Sequence, residues 1–254
     1  MLDYNDTGRG NIIVFLHGFC EDKSIWAYYE KELSPYHRVI SIDLPGFGHS
    51  LEYEAKASMR YYARQIHELI KQLTHNPITL VGHSLGGYIA LAYHELFPKF
   101  TKSICLINST SLGDTNEKIK SRNKVIQFIE NRGVSLFLQS FVRPLFAINN
   151  QETLKENIEK LISSGKRINA DAMTSCVKAM RDRKNRFHLL QNISIPVFFI
   201  IGKEDQIIPF EHYKDQITAS SNIKSVVFED CGHMAMFEKP TETLHHLKNF
   251  VSLC

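Results

Sequence analysis

Cysteine is sparse and unpaired in this chain of 254 residues. The five cysteines, Cys20, Cys105, Cys176, Cys231 and Cys254, are odd in number, and no two form a Cys-x-x-Cys pair. That argues against a disulfide framework and against a zinc site, leaving single buried thiols. Long apolar runs are missing too: none approaches the roughly 18 residues of a membrane span. The start, Met1-Leu2-Asp3-Tyr4-Asn5-Asp6, has neither the basic residues nor the apolar stretch of a secretory signal. A cytoplasmic protein without membrane association is therefore expected. Nor does one sign of charge dominate. Thirty Lys and Arg face 27 Asp and Glu, a net charge of +3, too little to argue for a nucleic-acid partner. There is no internal repeat and no low-complexity segment.

What is present is a soluble globular composition, 43% hydrophobic and 22% charged. Short apolar runs rich in β-branched residues recur at 12–16, 38–42, 78–81, 103–107, 197–201 and 224–228. Most are apolar on successive positions, the pattern of a strand buried on both faces and so of a parallel sheet. Helical patterns fill most gaps. Over 59–73, Tyr62, Ile66, Leu69, Ile70 and Leu73 fall on one face. Helices are also expected at 86–96 and 241–251. This alternation predicts a doubly wound, mostly parallel α/β sheet. It is interrupted over 111–190, where 116–130, 135–141, 153–162 and 170–181 read as helices without strands between them. The middle is also basic: from Asp114 to Arg186, 15 Lys and Arg face 8 Asp and Glu. The expected organisation is a core formed by residues 1–110 and 191–254, with an inserted amphipathic helical cap at 111–190 that lies over something rather than building a core of its own.

The segment Ile78-Thr79-Leu80-Val81-Gly82-His83-Ser84-Leu85-Gly86-Gly87-Tyr88 runs from strand to helix through Gly-x-Ser-x-Gly. A nucleophilic serine on such a turn has a strained backbone and needs small residues two positions away, which Gly82 and Gly86 supply. The pattern alone arises by chance in about one chain in ten of this length, and the alternative is a glycine-rich structural turn. The strand before it and the helix after it favour chemistry at Ser84. Acyl transfer also needs two backbone N–H donors for the oxyanion. Leu85 follows the serine directly. Phe19, in His17-Gly18-Phe19 after the 12–16 strand, is the second candidate. His17 itself is expected to brace this loop.

A serine nucleophile requires a base, and the base a carboxylate. Position must choose among 12 histidines. His233, in Asp230-Cys231-Gly232-His233, follows the last strand, where loops at strand C-termini gather into sites. His212, His245 and His246 fall on expected helices and read as surface residues. Asp205, at the end of the 197–201 strand, fits the order Ser…Asp…His; Glu204 and Asp230 are the other candidates. Cys20 and Cys231 flank the expected oxyanion loop and base, but neither lies on a nucleophile turn.

Four separated motifs then agree: His17-Gly18-Phe19; Asp43-Leu44-Pro45-Gly46-Phe47-Gly48-His49-Ser50; Gly82-His83-Ser84-Leu85-Gly86-Gly87; and Gly202-Lys203-Glu204-Asp205-Gln206-Ile207-Ile208-Pro209 with Gly232-His233-Met234. Together they resemble the α/β-hydrolase superfamily, within it the cofactor-free esterase, enol-lactonase and haloperoxidase-like branch. The resemblance implies a triad of Ser84, Asp205 and His233, an oxyanion hole of the Phe19 and Leu85 N–H groups, a helical cap, and no metal or organic cofactor. Members often begin with an extra strand pair, whereas the few residues before the His-Gly strand leave room for at most one partial strand. Dehalogenases and epoxide hydrolases of the fold carry Asp where this chain has Ser84.

The expected activity is hydrolysis of a small carboxylic ester, lactone or thioester through an acyl-enzyme. Two other readings stand beside it. One is a C–C hydrolase or lyase acting on a keto acid, with Arg143 or another cap cation holding a carboxylate. The other is a small-molecule receptor with slow hydrolysis. Trp26, Tyr88 and Arg143 are candidate pocket residues. A small molecule is the expected partner, with the chain as a monomer or homodimer.

Overall fold

The computed structural model describes residues 1–253. Seven strands form one sheet: β1 (Tyr4–Thr7), β2 (Ile12–Leu16), β3 (Arg38–Ile42), β4 (Ile78–His83), β5 (Thr101–Ile107), β6 (Val197–Gly202) and β7 (Ile223–Phe228). Their order is β1-β3-β2-β4-β5-β6-β7. β1 runs antiparallel to β3, pairing Tyr4 with Ile42, and every other pairing is parallel. All six expected strands are present. The seventh, β1, is the partial strand for which the sequence left room. Its residues are half-buried or exposed, so it carries no apolar signature.

β2, β4 and β6 are buried along their whole length, as their continuous apolar runs predict. Helices α1 (Ala27–Leu33), α2 (Met59–Leu73) and α3 (Leu85–Leu96) cover the sheet. α2 starts where Ser58 Oγ accepts the Tyr61 N–H at 3.1 Å, an ordinary N-cap. It buries the stripe Tyr62, Ala63, Ile66, Leu69 and Ile70. The chain leaves β2 toward β3 on one side and reaches β4 on the other. The loops after β2 and β4 therefore part at a switch point of the sheet, where α/β proteins place their sites.

Between β5 and β6 there is no strand among the described residues. Helices α4 (Asn116–Arg132), α5 (Val134–Phe141), α6 (Lys155–Gly165) and α7 (Ala170–Arg181) fill the interval. α4 breaks into α5 at Gly133, whose φ of +81° suits glycine. The buried side chains of α7, among them Met173, Cys176, Val177 and Met180, join Val14, Phe15 and Leu80 of the sheet in one apolar cluster. The segment thus lies over the sheet without a separate core. No helix among the described residues is long and apolar enough to cross a membrane.

The two ends of the helical segment are tied together. Arg186 N–H donates to Ser111 O at 2.7 Å, and Arg183 Nε to Leu112 O at 3.0 Å. The buried Asp114 carboxylate pairs with both Arg183 and Arg122. Arg183 also lies 4.1 Å over the Tyr88 ring, a cation–π contact that links this tie to α3. Both Arg183 and Asp114 are almost fully buried, so removing one charge strands the other. Arg183→Met is expected to cost about 3 kcal/mol and to lower hydrogen-exchange protection in α4 and α7 before that in β2 and β4. Unchanged protection in α4 would show that this pair does not hold the segment.

Candidate active site

Ser84 is the residue between β4 and α3, with φ +48° and ψ −111°. A non-glycine residue there is strained, and its surroundings hold it in place. Its N–H donates to Ile107 O at 3.0 Å, and Ser109 Oγ donates to its carbonyl at 2.7 Å. A Cβ at Gly82 would overlap the backbone of Gly86, and one at Gly86 would overlap the carbonyls of Leu16 and His17. These two glycines let β4, α3 and the end of β2 come together with Ser84 at the junction.

His233 Nε2 lies 2.9 Å from Ser84 Oγ, and His233 Nδ1 lies 2.6 Å from Asp205 Oδ2. All three residues are buried. Asp205 sits just beyond β6. Its Oδ1 accepts the N–H groups of Ile207 and Ile208 at 2.8 and 2.9 Å, and Asn108 Nδ2 donates to its Oδ2 at 3.2 Å. With Oδ1 occupied, Oδ2 is turned to the imidazole. A proton on Nδ1 leaves Nε2 free to accept from the Ser84 hydroxyl, the arrangement a nucleophilic serine needs. Glu204 and Asp230, the other acid candidates, are exposed.

The loop carrying His233 is held from two sides. His233 N–H donates to Leu145 O, in the helical segment, at 2.7 Å. Glu238 accepts Gly232 and Met234 N–H through Oε1 at 2.9 and 3.1 Å, and Ala147 N–H through Oε2 at 2.9 Å. A Cβ at Gly232 would come within 2.6 Å of Ala147 N and 2.8 Å of Leu145 O. Gly232 thus lets the base loop and the helical segment touch.

On the opposite side, His83 Nε2 lies 2.9 Å from His233 O and its Nδ1 lies 3.0 Å from Glu21 Oε2. Glu21 Oε2 also accepts Gly18 N–H at 2.6 Å. Both ring nitrogens face oxygen atoms, a geometry that suits an imidazolium beside a carboxylate. Burial disfavours charge on either group, yet the attraction between them prevails. Glu21 is held below the usual carboxyl value and His83 above the usual imidazole value. The pair joins the loop after β2 to the Ser84 turn and to the backbone of His233.

His17 braces the β2 loop as expected: Nε2 accepts Leu44 N–H at 3.0 Å, leaving Nδ1 to donate to Gly18 O at 2.8 Å. Leu85 is the first residue of α3, so no preceding turn takes its N–H. Phe19 borders a cavity of about 200 Å³ over Ser84 and His233, together with Val125, Phe141, Leu145 and Met180. Burial raises the pKa of the Cys20 and Cys231 thiols, which keeps both protonated and unsuited to attack.

Two of the three pocket candidates lie elsewhere. Trp26 is fully buried and packs on Phe15 and Tyr29. Its position immediately before α1 puts the ring in the core, away from the cavity. Arg143 is exposed on a short turn after α5, where it bonds Gln151 Oε1 at 3.0 Å and faces Glu152. Tyr88 lines an adjoining cavity of about 380 Å³, beneath Arg183. The two cavities share Lys118, Ser121 and Ile207. Sequence reasoning missed Asn108, Glu21 and Lys118. Asn108, with φ +45° at the end of β5, carried a signal in its position: a polar residue ending an apolar strand beside the acid's strand.

Residues 13–246 match the alpha/beta hydrolase family, and the chain belongs to it. It is 28% identical over 242 residues to a putative 2-succinyl-6-hydroxy-2,4-cyclohexadiene-1-carboxylate synthase of Bacillus subtilis, covering 90% of this chain and 85% of that one. A 2-hydroxy-6-oxononadienedioate/2-hydroxy-6-oxononatrienedioate hydrolase of Burkholderia vietnamiensis is 26% identical over 251 residues, 92% of this chain and 85% of its own. Among solved structures, a thermophilic esterase from Thermogutta terrifontis superposes with a TM-score of 0.93 at 25% identity, covering 99% of this chain and 93% of that one.

The Glu21–His83 pair predicts a pH signature. Because His83 has a raised pKa in the folded state, its stabilisation is full below the unfolded value and lost as pH rises through the folded one. Glu21, with a lowered pKa, contributes above its unfolded value and loses that contribution as pH falls through its folded one. Glu21→Gln keeps an acceptor for Gly18 N–H but removes the anion. It is expected to cost about 3 kcal/mol near neutral pH, with the gap from the unaltered protein shrinking as pH rises through the His83 value. Denaturant unfolding from pH 5 to 9 measures this, and a gap independent of pH would disprove the ion pair.

Proposed function

We propose that this protein is a serine hydrolase that cleaves small carboxylic esters through an acyl-enzyme. The single observation that carries this reading is the buried hydrogen-bonded series Ser84 Oγ, His233, Asp205, at 2.9 and 2.6 Å, opening on a small cavity. Its likeness to an esterase across nearly the whole chain supports the same reading.

In this mechanism His233 Nε2 takes the Ser84 proton as Oγ attacks the ester carbonyl carbon. Negative charge on the carbonyl oxygen is met by the Leu85 and Phe19 N–H groups, with the N-terminus of α3 adding its dipole. Asp205 stabilises the imidazolium. The tetrahedral intermediate collapses, the C–O bond to the alcohol breaks, and the alcohol leaves with the proton from His233. Water then attacks the acyl-enzyme by the same steps, giving up its proton to His233 and releasing the acid and Ser84. Each step uses groups of this chain alone.

A second reading keeps the site and changes the bond, with a C–C bond of a keto acid cleaved instead. The relationship to the oxononadienedioate hydrolase favours it. The two differ in whether turnover is found on simple esters or only on a vinylogous diketone acid.

Ser84→Ala is expected to lower kcat/KM on p-nitrophenyl butyrate by at least about 10³-fold and to abolish labelling by a fluorophosphonate. Asp205→Asn should retain labelling at a slower rate, with a similar loss of turnover. Undiminished hydrolysis by Ser84→Ala would sink the assignment.

A further inference from the structure

Among the described residues, one cation at the cavity makes no direct ion pair with a carboxylate. Lys118 lies in the first turn of α4 and is half-buried. Its ammonium carries three donors, and among the described residues its one hydrogen bond is to Ile207 O, at 3.3 Å. Glu117, on the second cavity, is exposed to solvent, and the buried carboxylates nearby are taken. Asp114 accepts Arg122 and Arg183. Glu21 accepts Gly18 N–H and faces His83. Asp205 accepts Ile207, Ile208, Asn108 and the imidazole.

Helix stability does not account for this placement. A cation in the first turn opposes the helix dipole. Burial, and then the neighbouring Arg122 guanidinium, push the Lys118 pKa below its ordinary value against the weaker pull of Asp114 and Asp205, so the ammonium is held at a cost that a bound anion would relieve. Its position is specific as well. Lys118 borders both the cavity over Ser84 and the adjoining one beneath Arg183. Any acyl chain that extends from the Ser84 carbonyl site into the second cavity passes it.

We propose that Lys118 determines specificity by binding a carboxylate carried on the acyl part of the substrate, so that the preferred substrates are hemi-esters of short dicarboxylic acids. This rests on the serine hydrolase reading of the same site. The apolar wall of Phe19, Val125, Phe141 and Met180 packs the methylene chain, while the ammonium and the neighbouring Ser121 hydroxyl meet the far carboxylate. A carboxylate fits better than a phosphate dianion. The guanidinium forks that suit phosphate are already committed, since Arg122 and Arg183 both bind Asp114.

Two measurements test this. The first is the ratio of kcat/KM for mono-p-nitrophenyl glutarate to that for p-nitrophenyl butyrate. Lys118→Met is expected to lower this ratio about ten- to hundred-fold, mainly through KM on the anionic ester, with Lys118→Arg retaining part of it. Equal losses on both esters, or an unchanged ratio, would overturn the proposal. The second is calorimetric binding of monomethyl glutarate to Ser84→Ala, with and without Lys118→Met. Binding that requires Lys118 supports the proposal even if the unaltered protein hydrolyses neither ester, in which case only the hydrolase reading fails. Ester hydrolysis with no Lys118-dependent binding retains the hydrolase and overturns the carboxylate site.

Discussion

The rest of the site depends on the backbone of Ser84. At φ +48° it stores strain on the order of 1–3 kcal/mol, and it persists because its neighbours leave no other position. The Ile107 carbonyl and the Ser109 hydroxyl fix its two peptide groups. Gly82 and Gly86 allow β2, β4 and α3 to converge without side chains between them. The turn lifts Oγ off the sheet and starts α3 at Leu85. One local conformation thereby presents the hydroxyl, one N–H donor and the helix dipole together. The sheet supplies the counterforce, through strands whose burial on both faces makes them hard to shift.

His233 is held differently. It lies on a loop and takes its position from groups distant in sequence: Asp205 beyond β6, Asn108 beyond β5, and Leu145 in the helical segment. The segment is therefore more than a cover. Its Leu145 carbonyl binds the backbone of His233, and Glu238 ties Ala147 to the same loop. A shift of the segment against the sheet would move His233 as well as the cavity wall. His83 adds a third restraint by donating from Nε2 to the His233 carbonyl. Its own charge depends on Glu21, so the geometry of the base is coupled to an ion pair that takes no part in the proposed chemistry.

These differences explain what could be read from the chain. Ser84, Asp205 and His233 were legible because each ends or follows a strand marked by a continuous apolar run, and because parallel topology brings strand ends together. The glycines at 82, 86 and 232 were legible for the same local reason. β1 was only a space in the sequence, since edge residues Tyr4-Asn5-Asp6-Thr7 have no apolar pattern to show. The helical segment was read as helices, but not by the faces they turn. Arg143, beside Pro144, looked like a cap cation, yet the short turn after α5 sends it to Gln151 on the surface. Trp26 looked like a pocket aromatic, yet its ring belongs to the cluster around Phe15. Lys118 looked like one of many cations on α4. Only its place on both cavities, beside buried carboxylates that already have partners, distinguishes it, and that requires coordinates.

The groups assigned to bond cleavage come from the ends of β2, β4, β6 and β7, with Ser84 and His233 fixed through backbone N–H bonds and Asp205 through its carboxylate. The rest of the cavity lining comes largely from α4, α5 and α7: Lys118, Ser121, Val125, Phe141 and Met180. Strand ends cannot change without disturbing the sheet, whereas a side chain on the cavity face of α4 can change with little effect on packing. A cavity of about 200 Å³ leaves little room for choice by size alone. Among small substrates of similar shape, an unneutralised charge discriminates more strongly than one more or one fewer methylene, because a polar group left without a partner in a buried site costs more than a methylene contributes.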